Sequence, residues 1–264
     1  EDHNRLRPGR GGAGTFLDVM KTAQILDSGD LELHLRICVT AASLGRVPET
    51  VEWLLGRLQP NSIAIEPVVA EANAPAGLAP PSPTEFVRHF STVADLAENV
   101  GIDTRFSSCT GPYARGAHCP VGQDSLILHP DGTLAACYLP AANWKDRGLS
   151  LELGVVAEGV KIEASAVGAV RRIATEKTRC DQCFARWSCG GGCHVSLSHP
   201  GAALGSTDFC RETRLLLLRR LLKDLGRPEL WEAILDDDAL FEDLSVLKED
   251  RLAHLSEFHQ GGAH

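Results

Sequence analysis

Residues 180–193 read CDQCFARWSCGGGC and place four cysteines within fourteen positions. Buried structural cysteines usually occur singly and at core spacing, so this density is not a packing feature. The four thiols therefore either bind metal or form disulfides. Metal binding is favoured, because disulfides persist in oxidising compartments and the sequence shows neither a secretory signal segment nor a long apolar stretch. We expect a cytoplasmic protein with a metal centre.

The cysteine pattern continues on both sides of this stretch. Its further members are Cys109, Cys119, Cys137 and Cys210, with Gly132 between the second and third of them. Together the eight cysteines would complete two sets of four thiolates. The ninth cysteine, Cys38, falls in the apolar run LHLRICVT and is expected to be a buried hydrophobic residue in a strand.

The choice between zinc and iron–sulfur clusters depends on ligand number and spacing. A zinc ribbon uses two C-x2-C knuckles, or one knuckle with histidines, whereas this chain has the single knuckle Cys180–Cys183. Each iron–sulfur cluster takes four thiolates, and the last cysteine of a run can ligate the other cluster. Iron–sulfur clusters are favoured, with structural zinc and disulfides as alternatives. His118 and His194 adjoin cysteines but are not needed as ligands when eight thiols are present.

Composition and charge exclude several classes of partner. The chain has 264 residues, of which 44% are hydrophobic, and this suits an ordinary globular core. Its net charge is −9, and no Lys/Arg cluster is present to neutralise a phosphate backbone. We therefore expect neither a nucleic acid nor a membrane as partner. Much of the negative charge lies near the C-terminus and predicts only a solvated face.

Helical and strand patterns alternate before the cysteine-rich part, as in a parallel α/β layer. The first predicted helix covers 16–26, with Thr15 as its N-cap and an apolar stripe of Phe16, Leu17, Met20, Ile25 and Leu26. Further helices are predicted to begin at Pro48 and to cover 84–100. Strands are predicted within 31–40 and 62–68. The Pro/Ala-rich segment 71–83 is expected to be a loop. Beyond it, Asp131-Gly132 predicts a hairpin turn, and a long helix is expected after Cys210.

The seven-cysteine pattern from Cys119 to Cys210 resembles that of the radical SAM enzymes that carry a SPASM domain, a family that matures peptides and sulfatases. Spacing, the position of Gly132 and the final cysteine all agree with the family signature. A second likeness lies in segments 3–7 and 12–16, HNRLR and GAGTF, which resemble the chain after the fourth strand of the radical SAM barrel. Asn4 stands where the family often has aspartate.

The resemblance implies an α/β fold in three parts. Residues 1–104 would be the second half of a partial (β/α)6 barrel, residues 105–225 an α+β SPASM domain with two auxiliary [4Fe–4S] clusters, and residues 226–264 an acidic helical tail. The C-x3-C-x2-C motif that binds SAM and a third [4Fe–4S] cluster is not among these residues. We expect it in an N-terminal half outside this sequence, or on a partner of a split enzyme, and no SAM cleavage by this chain alone.

The resemblance also implies the site residues. One cluster would take Cys109, Cys119, Cys137 and Cys193, and the other Cys180, Cys183, Cys189 and Cys210. The run Gly190–Gly192 would let the backbone turn beside one cluster and carry the next thiolate to the other. Glu66 is the candidate residue on the SAM side, with a capping or salt-bridge role as the alternative. Trp187 and Phe184 are expected to shield the clusters from water, and Tyr138 either to shield a cluster or to touch the substrate or act as an acid.

The function implied is modification of a ribosomally made peptide or protein by hydrogen abstraction with a 5′-deoxyadenosyl radical. Sulfatase maturation is disfavoured, because sulfatase-maturating members have an aspartate that acts as a base at the position of Tyr138. The expected partners are the peptide substrate and a reductant such as ferredoxin or flavodoxin. Two alternatives remain: a non-catalytic, metal-stapled module that binds a peptide, and an iron–sulfur electron-transfer subunit. An upstream C-x3-C-x2-C would distinguish the enzyme from both.

Overall fold

The computed structural model contains two compact units, residues 1–110 and residues 111–264. It describes residues 2–29, 31–69, 78–109, 114–176, 180–197, 207–237, 239 and 241. Most of the predicted loop 71–83 and most of the acidic tail lie outside the described residues.

The first unit opens with two helices that are tied together by side chains. Helix α1 spans Asp2–Leu6 and helix α2 spans Phe16–Asp27. The Oδ1 atom of Asn4 accepts a hydrogen bond of 2.8 Å from the amide of Phe16. Thr15 does not cap α2 as predicted, because its hydroxyl donates to the carbonyl oxygen of Arg7, 2.6 Å away. Asn4 therefore satisfies the amide at the start of α2.

The apolar stripe of α2 differs from the predicted one. Met20 and Ala23 are buried, whereas Leu17 and Ile25 are exposed. Phe16 and Leu26 pack against the same small core as Met20. The buried positions therefore follow the i, i+3, i+4 pattern of one helix face, and Leu17 and Ile25 lie off that face.

A parallel sheet forms the centre of the first unit. Its strands are β1 (His34–Val39), β2 (Ser62–Pro67) and β3 (Asp103–Arg105), in the order β1-β2-β3. Helix α3 (Val47–Leu55) carries proline in its first turn, and α4 (Pro83–Glu98) is capped by Ser82, whose Oγ accepts from the amide of Glu85. The predicted alternation of helix and parallel strand is thus confirmed for this unit.

The two faces of the sheet differ in polarity. Ile63, Ile65 and Val39 are buried on one face, and Phe106 follows β3 into a ring cluster with Phe86, 5.6 Å between centroids. The opposite face carries polar side chains. His34, Arg36 and Cys38 of β1 lie in register with Ser62, Ala64 and Glu66 of β2.

Cys38 lies in a strand as predicted, but the prediction that it is buried is wrong. Side chains alternate between the faces of a strand, and Cys38 shares the exposed face of β1 with His34 and Arg36. The buried neighbour is Val39. An apolar run in the sequence does not reveal which of two adjacent positions faces the core.

The second unit contains an antiparallel sheet. Its strands are β4 (Ile127–Leu128), β5 (Thr133–Ala135), β6 (Glu152–Val156) and β7 (Val160–Ile162), paired in sequence order. The predicted hairpin joins β4 to β5. Gly132 adopts φ +86° at its turn, and Oδ1 of Asp131 accepts a 2.9 Å hydrogen bond from the amide of Thr133.

Six helices accompany this sheet among the described residues: α5 (Ala141–Lys145), α6 (Ala164–Thr175), α7 (Arg186–Cys189), α8 (His194–Leu197), α9 (Asp208–Asp224) and α10 (Leu230–Asp236). One core cluster forms around the buried Trp144, whose Nε1 donates to the carbonyl oxygen of Leu139 over 3.1 Å. Across the described ranges, we find no helix with both the length and the apolar character of a membrane span.

Together the two sheets and their helices make a mixed α/β protein. The first unit is a parallel α/β layer, and the second combines an antiparallel sheet with helices. These features confirm the broad fold class that the sequence predicts.

Candidate metal centre

All nine cysteines lie among the described residues, and each is a free thiol. Seven of them belong to the second unit and fall into two groups, one whose charges act on Cys137 and one whose charges act on Cys183 and Cys189. The first thiol set is Cys119, Cys137 and Cys193, and the second thiol set is Cys180, Cys183, Cys189 and Cys210.

The first thiol set lies against the core around Trp144. Cys137 is a buried member of that core, two residues beyond β5, while Cys119 and Cys193 pack on it from outside. Burial raises the pKa of the Cys137 thiol above its ordinary value, and the charges of Cys193 and Cys119 raise it further. Cys119 and Cys193 therefore lie near enough to Cys137 for their charges to oppose its ionisation.

The second thiol set is built from a tight turn and two helix ends. The amide of Cys183 donates to the carbonyl oxygen of Cys180 over 3.1 Å, Cys189 ends α7, and Cys210 lies in the first turn of α9. Burial, followed by the charge of Cys210, raises the pKa of Cys189 to about 12. Burial also raises the pKa of Cys183, with smaller contributions in the same direction from Cys180 and Cys210.

Backbone amides act in the opposite direction on these thiols. The amide of Leu139 hydrogen-bonds to Cys137, that of Ala185 to Cys183, and that of Gly192 to Cys189; each lowers the pKa of its thiol in part. A donor aimed at sulfur favours the thiolate, which is the form that binds metal. These amides offset part of the effect of burial on each of the three thiols.

One cation also acts on the second thiol set. Besides burial and the amide of Ala185, the charge of Arg214 affects Cys183 and lowers its pKa. Arg214 is buried on α9, and its Nε donates to the carbonyl oxygen of Cys210 over 3.3 Å. Arg214 was not among the residues predicted from the sequence, although its position four residues after Cys210 on a predicted helix places the two on one face.

The glycine run joins Cys189 of the second thiol set to Cys193 of the first. Gly190, Gly191 and Gly192 all have positive φ, at +65°, +78° and +68°. Gly190 packs directly on the backbone of Ala117 and His118, where a Cβ would come within 2.4 Å of the Ala117 carbonyl carbon. The loop after Cys189 is thus pressed against the segment that precedes Cys119.

The two histidines beside cysteines have distinct surroundings. His118 Nδ1 is 3.2 Å from the carbonyl oxygen of Cys189 and spans the glycine contact. His194 is buried directly after Cys193. Both residues are therefore part of the framework around the thiol sets.

Charge interaction acts over a longer range than coordination. In the residues that the structure describes, no three His, Cys, Asp or Glu side chains converge closely enough to hold a metal ion. The thiols of each set are near enough to act on one another through charge, without meeting at coordination distance around a common point.

Two predicted site residues lie in the first unit. Cys109 is half-buried, and its amide donates to the carbonyl oxygen of Phe106 over 2.8 Å. Its membership of the first ligand set stays a prediction. Glu66 lies on the polar face of the sheet. Its carboxylate accepts a hydrogen bond of 2.8 Å from the amide of Ser107 and one of 3.2 Å from the Ser107 hydroxyl.

These contacts decide the local role of Glu66. Burial raises the pKa of its carboxyl group, although the hydrogen bonds from Ser107 and the charge of Arg36 act against this. The carboxylate fixes the start of the loop after β3, which is the capping role kept as an alternative. A role on the SAM side stays a prediction.

Two aromatic residues beside the thiols have exposed rings. Tyr138 is 78% exposed and Trp187 is 60% exposed, and their shielding of a cluster stays a prediction. The Cζ atom of Arg186 lies 5.0 Å from the centre of the Trp187 ring, in a cation–π contact. Burial of Cys137 comes from the core around Trp144.

Alkylation of the metal-free chain by iodoacetamide tests this picture of the thiols. Only the thiolate reacts, so a thiol with a pKa near 12 has about a thousandfold less reactive form at pH 8.5 than an ordinary cysteine. We expect Cys38 to be labelled first and Cys189 last, by peptide mass spectrometry. Because the shift is upward, labelling of Cys189 should rise only as the pH approaches 12.

The same labelling in concentrated urea is the control, and there the nine cysteines should react at similar rates. Equal labelling of Cys38 and Cys189 in the folded chain at pH 8.5 would contradict the burial of Cys189.

Comparison of the sequence with models of known protein families gave no match, and comparison with curated proteins gave none either.

Proposed function

We propose that the chain is the C-terminal portion of a radical SAM enzyme with a SPASM domain, and that the enzyme modifies a ribosomally made peptide or protein. The observation that carries the proposal is the division of seven thiols into the first and second thiol sets. The resemblance divides the same seven cysteines in the same way, and assigns Cys109 to the first set as its fourth ligand.

The donor chemistry of the two thiol sets suits [4Fe–4S] clusters. Each cluster takes four cysteine thiolates, and the second thiol set supplies four within one unit. Backbone amides already donate to Cys137, Cys183 and Cys189, and such donors stabilise cluster-bound sulfur. When bound, the clusters would supply one-electron chemistry or hold the peptide.

The chain's own residues would hold the clusters in place and exclude water from their ligands. The core around Trp144 would keep water from Cys137, and the Gly190 contact would hold Cys189 near the segment of Cys119. The exposed Tyr138, next to Cys137, is open to contact with a substrate. These roles position the peptide and set the environment of the clusters.

The first unit supports the barrel part of the proposal. Its parallel strands alternate with α3 and α4, which is the construction of a (β/α) barrel. The polar face with Arg36 and Glu66 would then belong to the side where SAM and a third [4Fe–4S] cluster bind in the whole enzyme. SAM cleavage is proposed only for an enzyme that includes a C-x3-C-x2-C motif.

The proposed setting is the cytoplasm, where thiols stay reduced. The proposed partners are the peptide substrate and a reductant such as ferredoxin or flavodoxin.

Iron, acid-labile sulfide and zinc content of the anaerobically purified chain test the proposal. We expect about eight iron and eight sulfide per chain, because two [4Fe–4S] clusters hold four of each. Zinc without sulfide would overturn the proposal and leave a metal-stapled binding module. Iron near four per chain would contradict the assignment of two clusters.

A further inference from the structure

Arg214 is buried in the second unit, where only 5% of its surface is exposed. It lies four residues after Cys210 on α9, so the two residues share one face of the helix. Its Nε donates to the carbonyl oxygen of Cys210 over 3.3 Å. A positive charge is therefore fixed one helical turn from a member of the second thiol set.

An aromatic ring holds the guanidinium in place. The Cζ atom of Arg214 lies 5.0 Å from the centre of the Phe241 ring, which is fully buried. Arg211 reaches the same ring at 4.9 Å, but this residue is only half-buried. The two arginines therefore differ in burial more than in chemistry.

A buried carboxylate also lies on this helix. Glu212 is two positions before Arg214, which places it about 200° around the helix axis. Its charge is thus directed to a different side of α9.

The influence of Arg214 reaches the thiols. Its charge favours the thiolate of Cys183. Among the buried residues that the structure describes, Arg214 is the one Arg or Lys side chain, and its hydrogen bond to the Cys210 carbonyl places it beside the second thiol set. The two sets therefore differ in that a buried cation lies next to the second.

We propose that Arg214 raises the reduction potential of the cluster in the second thiol set above that of the cluster in the first, so that an electron rests on the second. This inference depends on the proposed function. A nearby cation stabilises the reduced cluster, which carries one more negative charge, and burial strengthens the interaction. The step moves one electron: the donor loses it, the cluster gains it, and no bond or proton changes.

A redox titration of the iron-loaded chain tests the inference, with dithionite as reductant and low-temperature EPR as readout. Cys137→Ala and Cys189→Ala chains, each lacking one set, assign the two signals. In the wild type we expect the second-set signal to develop at the higher potential. In Arg214→Gln its midpoint should fall and the gap between the clusters should narrow. Arg214→Lys, which keeps the charge, should restore most of the gap.

Arg211→Gln is the matched control, because it removes one charge from the same helix and the same ring. Its gap should equal that of the wild type. A first-set signal at the higher potential in the wild type would overturn the inference, as would an unchanged gap in Arg214→Gln or an equal change in Arg211→Gln. If Arg214→Gln does not load iron, the test rests on two other results: which cluster has the higher potential in the wild type, and the gap between the potentials in Arg214→Lys.

Iron and sulfide content separates this inference from the proposed function. A wild-type chain without sulfide would refute the proposed function itself. Full iron and sulfide content in every variant, with potentials that do not change when Arg214 is replaced, would refute only the role of the arginine.

Discussion

Replacement of Cys183 or Cys189 by alanine is expected to remove about half of the bound iron, because each variant leaves one thiol set intact and the other with three thiolates. The folded state should also lose stability, since the free energy of ligation is part of the free energy of folding. A fall in Tm of about 10 °C corresponds to a few kcal/mol for a protein of this size. Iron and sulfide assays and thermal unfolding of the anaerobic protein measure both effects.

Cys38→Ala is the matched control for these substitutions. Cys38 lies on the exposed face of β1 in the other unit, so its replacement creates no cavity and removes no proposed ligand. Its iron content and Tm should equal those of the wild type. Full iron in Cys183→Ala and Cys189→Ala would show that the second thiol set does not bind a cluster.

Features fixed by neighbouring residues could be predicted from the sequence. The Asp131-Gly132 turn depends on one short side chain and one residue that tolerates positive φ, so the hairpin from β4 to β5 is recognisable locally. Pro48 likewise marks the first turn of α3 because its φ is already helical. Such signals need no knowledge of the rest of the fold.

Features fixed by distant residues could not be predicted in this way. Asn4 rather than Thr15 binds the first amide of α2, although twelve positions separate Asn4 from Phe16. Strand β3 has three residues and too little apolar alternation to be recognised, and it forms because β2 pairs with it. The exposure of Cys38 likewise depends on which face of β1 is covered.

The candidate site shows the same division. Cysteine spacing is a local pattern, and its resemblance to a family signature implied which thiols belong to each set. The surroundings of those thiols depend on interactions between distant segments, such as the charge of Arg214 acting on Cys183 and the contact of Gly190 with Ala117. Environment, rather than ligand identity, is what the structure adds.

The contact of Gly190 leads to the second large effect that we expect. In Gly190→Ala, the new Cβ would lie 2.4 Å from the carbonyl carbon of Ala117, 2.6 Å from its oxygen and 2.6 Å from the amide nitrogen of His118. All three are backbone atoms, which no rotamer change can move away. The left-handed conformation adds about 1 kcal/mol for a residue with a Cβ.

Gly226→Ala separates the cost of the conformation from the cost of the contact. Gly226 has φ +68°, close to the +65° of Gly190, but nothing lies within 4 Å of its added Cβ. We therefore expect Gly226→Ala to lower the free energy of unfolding by about 1 kcal/mol and to leave iron unchanged.

Gly190→Ala should instead cost about 4 kcal/mol or more, in the range that marks a steric conflict in a packed interior. Because Gly190 follows Cys189 of the second set and presses on the segment before Cys119 of the first, both sets should lose iron, unlike in Cys189→Ala. Chemical unfolding and iron assays of the two glycine variants compare the effects directly. Equal destabilisation of Gly190→Ala and Gly226→Ala would mean that the glycine run is needed for its backbone conformation alone, and that the contact does not hold the two sets together.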